Sequence, residues 1–160
     1  MVKPQTTQTL PMKELVPLLL LQMEQGGTAA LTVTGSSMVP MLYNRKDTVF
    51  LQLPPAGRLP AGTVALYQRD TGMYVLHRLM KPLKNGGYLC CGDNQWQTEV
   101  IRADQVIAVV SAFERTGKRI CLDHKGYRAY VAIWSFLLPV RLPILAVRRL
   151  LGKLRRLFGG

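Results

Sequence analysis

Three polar side chains fall where a strand is expected to run or to end. They are a serine in Gly35-Ser36-Ser37-Met38-Val39-Pro40, a histidine in Tyr74-Val75-Leu76-His77-Arg78 and a carboxylate in Gly92-Asp93-Asn94. A serine hydroxyl becomes a nucleophile when a neighbouring base takes its proton and backbone N–H groups receive the developing oxyanion. Serine, histidine and a carboxylate together are a set for acyl transfer. Gly35 permits a sharp turn and Pro40 stiffens the exit from it, so Ser37 sits on a plausible mount. Each piece also has a plainer account: a solvated serine turn, a histidine hydrogen-bonded within a strand, and a simple Gly-Asp-Asn turn. The second histidine, His124 in Asp123-His124-Lys125-Gly126, reads as surface.

The elements that must position these groups are mostly strands. Residues 12–25 predict a short helix stopped by Gly26-Gly27, with Leu15, Leu18, Leu19 and Met23 on its packing face. Strands are expected over 28–34, 47–53, 63–68, 73–80, 88–91, 106–114 and 119–122. Asp70-Thr71-Gly72 closes a hairpin between the third and fourth of them. Short strands at this spacing predict a mainly β, barrel-like body.

The chain has 160 residues, enough for one core without a disulfide scaffold. At 48% hydrophobic and 19% charged it is not a disordered chain. Residues 1–112 carry 10 basic and 7 acidic residues, net +3, whereas 113–160 carry 11 basic and 2 acidic, net +9. Charge so concentrated points to an anionic surface met by one segment rather than to a nucleic-acid footprint over the whole body. The three cysteines, Cys90, Cys91 and Cys121, make no disulfide framework and suggest a reducing compartment. A Cys90/Cys91/His77/Asp93 metal site can be drawn, but adjacent cysteines lack the usual zinc-ligand spacing, and buried apolar thiols are the expectation.

The ordered set Ser-Met-x-Pro, then a strand opened by Gly-Thr, then His-Arg, then Gly-Asp-Asn resembles the signal peptidase I and LexA-like serine peptidase superfamily. The matching stretches are 35–42, 47–51, 62–67, 75–79 and 92–94, about half of the chain and in the family's order. The base in that superfamily is usually Lys; His77 makes the resemblance one to its Ser–His type, including small bacterial members found with ribosomally made, modified peptides. It implies a β-rich catalytic fold, Ser37 as nucleophile, His77 as base and then acid, and Asp93 as the carboxylate orienting the imidazole. Glu99 is the alternative acid and Asp104 a more distant one, while Asp47 is expected to hold a turn. Some members place a serine two positions before the nucleophile; here that residue is Gly35, so the oxyanion would rest on the Ser37 backbone N–H, with Ser36 as a helper. No metal or organic cofactor is implied. The membrane anchor that precedes the serine box in many members is not read here.

Three parts are expected: an arm and short helix over 1–27, a peptidase domain over 28–124, and an apolar, basic tail over 125–160. Residues 129–147 form an apolar stretch about 28 Å long if helical. Pro139, Arg141 and Pro143 interrupt it, and Arg148, Arg149, Lys153, Arg155 and Arg156 come after it. The expectation is a tail that attaches peripherally to an anionic membrane through residues 129–158, with the catalytic body on the cytoplasmic side. A single kinked span and a helical hairpin packed on the body are the alternatives. The resulting function is a serine endopeptidase that removes leader or signal peptides from precursors, holding the substrate as an added strand. The rivals are an inactive peptide-binding module of the same fold and a LexA-like self-cleaving regulator. Only one helix and one strand precede Ser37, so no three-helix DNA reader fits there and no specific nucleic acid is expected.

Overall fold

The computed structural model describes residues 10–123 and 125–137, together with residues 140, 143 and 147. The elements are α1 (Met12–Glu24), β1 (Ala29–Thr32), β2 (Asp47–Gln52), β3 (Val64–Gln68), β4 (Tyr74–Pro82), β5 (Tyr88–Cys91), β6 (Glu99–Ile101), β7 (Val106–Arg115), β8 (Lys118–Cys121) and α2 (Lys125–Phe136). A single 3-10 turn, Ala103–Gln105, leads into β7. The predicted mainly β character holds, and the strand order is β1-β2-β7-β3-β4-β5-β6 with β8 on β7. The expected barrel is not a closed ring among the described residues: β1 and β6 are the two ends of the pairing path. β6 is absent from the predicted strands, because three residues carry too little alternation to announce themselves.

Strand alternation divides the apolar side chains between the two faces of the sheet. Val64 and Leu66 of β3 and Ala108 and Val110 of β7 join one core with α1, β1, β2 and the serine turn. Ala65 and Tyr67 of β3 and Val109 of β7 join the other, with Leu79, Cys90 and Ile101. Helix α1 feeds the first core through Val16, Leu19 and Met23, whose three- and four-residue spacing makes one stripe. Leu18, expected on that stripe, falls outside it and is exposed.

The segment between β1 and β2 carries the serine turn. Met38, Met41 and Leu42 sink into the first core and hold it from below. Gly35 turns with φ 85°, and its N–H donates to Asn44 Oδ1 at 3.1 Å. Asp47 holds this turn as expected. Its carboxylate accepts from the Tyr43 N–H at 2.8 Å and from Arg115 at 2.8 and 2.6 Å, while Arg115 also donates to the Met41 carbonyl at 2.6 Å.

The sequence sets residues 125–160 apart as a tail, and for 125–136 the structure corrects this. Tyr127, Tyr130 and Trp134 of α2 recur every three or four residues, so they share one face, and that face is seated on the β body. The opposite face leaves Ile133 61% and Phe136 84% exposed. Among the described residues no helix is long and apolar enough to cross a membrane. His124, residues 1–9, and most of the apolar and basic stretch beyond 137 lie outside the described residues.

Candidate active site

The hairpin of β3 and β4 sets the histidine. Ala65 pairs with His77 and Tyr67 with Val75, so Tyr67 and His77 lie diagonally on one face. Leu79 pairs with Cys90, and Cys90 with Glu99, which brings Glu99 of β6 to that same face. Tyr67 Oη and Glu99 Oε1 both meet His77 Nδ1, at 3.0 and 3.2 Å. The Tyr67 hydroxyl donates its single proton to Glu99 Oε1 at 2.5 Å. Its oxygen, like that of Glu99, is then left to accept, and the hydrogen-bond pattern assigns a proton to Nδ1. Nε2 is therefore the basic nitrogen of the neutral ring. Arg69 closes the network with a fork onto Glu99, 2.7 and 2.6 Å.

Burial holds the His77 pKa below its ordinary 6.5, and the facing Glu99 charge offsets only part of that. Burial by itself would raise Glu99, but the Arg69 fork and the Tyr67 hydroxyl outweigh it and keep the carboxyl below its usual range. Tyr67 is pushed far up by burial and by Glu99, so its hydroxyl stays protonated.

Asp93 does not face the Nδ1 side of the imidazole. His77 and Arg78 are consecutive strand residues and point to opposite faces. Arg78 captures Asp93 through a fully buried fork, Nε to Oδ1 at 2.8 Å and Nη2 to Oδ2 at 2.7 Å. Of the two carboxylates expected beside the imidazole, it is Glu99, the alternative, that faces Nδ1. Asp104 pairs with the exposed Arg102 at 3.2 Å and plays no part at His77.

The other ring edge faces the serine turn across Gly92. A Cβ built on Gly92 would stand 2.7 Å from the Ser37 carbonyl oxygen and 3.1 Å from His77 Nε2. The serine turn and the imidazole therefore converge on one residue that has no side chain. Asn94 ties the turn down, its N–H donating to the Ser37 carbonyl at 2.7 Å and its Nδ2 to the Ser36 carbonyl at 3.0 Å. Ser37 is half-buried and Ser36 exposed. The Ser37 backbone and His77 Nε2 thus lie on either side of Gly92, with Glu99 at the Nδ1 edge of the histidine and Asp93 paired instead with Arg78.

Cys90 and Cys91 are buried thiols outside any disulfide, as expected. They are strand neighbours on opposite faces, so they do not present a joint ligand set, and burial pushes the Cys90 thiol up to about 12. Sequence reasoning misses Tyr67 and Arg69. The signal that could find the tyrosine is the predicted hairpin: counting back from Asp70-Thr71-Gly72 places Tyr67 one diagonal from His77. No family model matches the chain, and no curated protein matches it.

Proposed function

We propose that this protein is a signal-peptidase-like serine endopeptidase that removes leader or signal peptides from precursors. The observation that carries the reading is the histidine's tautomer and aim. Nδ1–H is spent on Glu99 and Tyr67, and the basic Nε2 is turned toward Gly92 and the Ser37 turn. A serine protease histidine likewise has its Nδ1–H held by a carboxylate and its Nε2 on the side of the serine.

In the reaction, Ser37 Oγ attacks the scissile carbonyl as its proton passes to His77 Nε2. Glu99 stabilises the imidazolium, and the Ser37 backbone N–H, with Ser36 beside it, receives the oxyanion. Collapse breaks the C–N bond, and the leaving amine takes the proton from Nε2. Water then attacks the acyl-enzyme, losing a proton to the same nitrogen, and Ser37 is regenerated. The residues that do this are on the chain itself, and the scheme calls for no cofactor.

The substrate is an extended segment. β1 ends the sheet and runs into the serine turn, and β6, at the other end, carries Glu99, so an edge strand borders the site on each side. Residues 129–158 attach the enzyme peripherally to an anionic membrane. Exposed Ile133 and Phe136 and the net +9 of residues 113–160 support this.

The test is cleavage of a leader-type peptide together with labelling by a fluorophosphonate, which reacts with an activated serine. Wild type cleaves and is labelled at Ser37, Ser37→Ala does neither while remaining folded, and Ser36→Ala keeps much of the activity. A Ser37→Ala variant that cuts at the wild-type rate overturns the assignment.

A further inference from the structure

Helix α2 reaches the candidate site through a single peptide unit. Trp134 Nε1 donates to the Asp93 carbonyl oxygen at 3.0 Å, and the N–H of that same peptide, on Asn94, donates to the Ser37 carbonyl at 2.7 Å. A peptide unit is planar and resists twisting, so holding its oxygen aims its nitrogen. Tyr130 Oη holds the Asp93 side chain as well, donating to Oδ2 at 2.9 Å.

The partner of that carboxylate is Arg78, whose Nη1 also donates to the Gly62 carbonyl at 2.9 Å and to Tyr127 Oη at 2.7 Å. The guanidinium lies 5.6 and 5.7 Å from the Tyr127 and Tyr130 ring centroids, and Tyr130 stacks on Trp134 at 6.0 Å. Arg78 is the chain neighbour of His77. The residues next to Asp93 are Gly92, against His77 Nε2, and Asn94, against the serine turn. Seating α2 therefore registers both ends of the Ser37–His77 pair from the face of the sheet opposite His77, the face that also carries the serine turn.

We infer that Tyr130 and Trp134 are positioning residues for the proposed serine–histidine pair, acting through the Asp93–Asn94 peptide and the Arg78–Asp93 ion pair. This rests on the peptidase reading above. The inner face of the helix that begins the apolar, basic segment is thus part of the catalytic frame, and its outer face, with Ile133 and Phe136, together with the chain beyond it is what remains for attachment.

The test uses full-length protein carrying Tyr130→Phe or Trp134→Phe, with Lys125→Ala on an exposed part of α2 as the control. Steady-state cleavage of a short soluble peptide, the rate of Ser37 phosphonylation, and hydrogen exchange at the Asn94 amide are measured well below the unfolding temperature. Trp134→Phe is expected to lower kcat and the phosphonylation rate by about 10- to 100-fold, the usual effect of displacing reacting groups by a fraction of an ångström to an ångström. KM should stay near wild type, and exchange at Asn94 should speed up. Tyr130→Phe, which removes one oxygen, should do the same to a lesser degree and keeps the test open should Trp134→Phe not fold. Folded variants with wild-type kcat and wild-type Asn94 exchange overturn the inference alone. Wild-type protein that neither cleaves nor is labelled removes the peptidase reading and this inference with it.

Discussion

His77 is a buried base whose protonation the fold opposes, and this has a readable sign. Because its pKa is held below 6.5 by burial, the unfolded chain takes up the proton first as pH falls below that value, and stability declines there; above it both states are neutral and the effect is flat. In the proposed reaction the acid limb of kcat/KM therefore lies below pH 6.5, and His77→Ala costs about 100- to 10,000-fold. Glu99→Gln removes a charge that raises His77, so the acid limb moves further down while kcat falls, since the imidazolium loses its partner. A pH–rate profile of the variant checks both, and a limb moving upward contradicts the assignment. Gly92 makes a separate demand. A methyl group there would stand 2.7 Å from the Ser37 carbonyl, a backbone atom that cannot swing aside, so Gly92→Ala should lower cleavage at least tenfold by parting the serine turn from the imidazole. Peptide kinetics on the folded variant would show it.

Among the elements, β4 does the most, because two consecutive residues serve two faces. His77 turns to Tyr67 and Glu99, Arg78 to Asp93 and the aromatic face of α2. Both Arg78 and Asp93 side chains are wholly buried. Removing one charge leaves the other stranded, so Asp93→Asn should destabilise the protein by about 3–5 kcal/mol, measured by denaturant unfolding. Much of this element scale could be read in the sequence. The helix at 12, the strands around Asp47, Val64 and Val106, and the hairpin at Asp70-Thr71-Gly72 follow from periodicity and turn chemistry. Glu99 was legible only as an alternative, because its strand is three residues long and its facing partner is decided by β5, not by anything near it in the chain.

At the scale of the whole molecule, the basic segment has to be divided. Deleting residues 129–160 removes Tyr130 and Trp134 from the Arg78–Asp93 pair, so peptide hydrolysis and stability should both fall. Deleting 138–160 spares these contacts while removing Arg141, Arg148, Arg149, Lys153, Arg155 and Arg156. Each basic residue near an anionic surface is worth roughly 1 kcal/mol, so this shorter truncation should release the protein from anionic vesicles in a flotation assay and leave soluble-peptide hydrolysis intact. Full-length protein that ignores such vesicles contradicts the membrane proposal.

Residue type and local spacing by themselves determined the mainly β body, the glycine and proline mount around Ser37, the candidate histidine and the uneven charge. These depend on periods and turns that a few neighbouring residues dictate. Which carboxylate faces His77 was decided only by strand pairing. Asp93 is closer to His77 in the chain than Glu99, yet a one-residue step along β4 turns Arg78 to the other face, where it takes Asp93 for itself. The stripe of Tyr127, Tyr130 and Trp134 is visible in the sequence as an apolar helix face, but a membrane and a protein surface attract the same side chains. It was the buried Arg78–Asp93 pair, assembled from β4 and the turn after β5, that supplied the two tyrosine hydroxyls with partners, and the Asp93 main-chain carbonyl that supplied the indole with one.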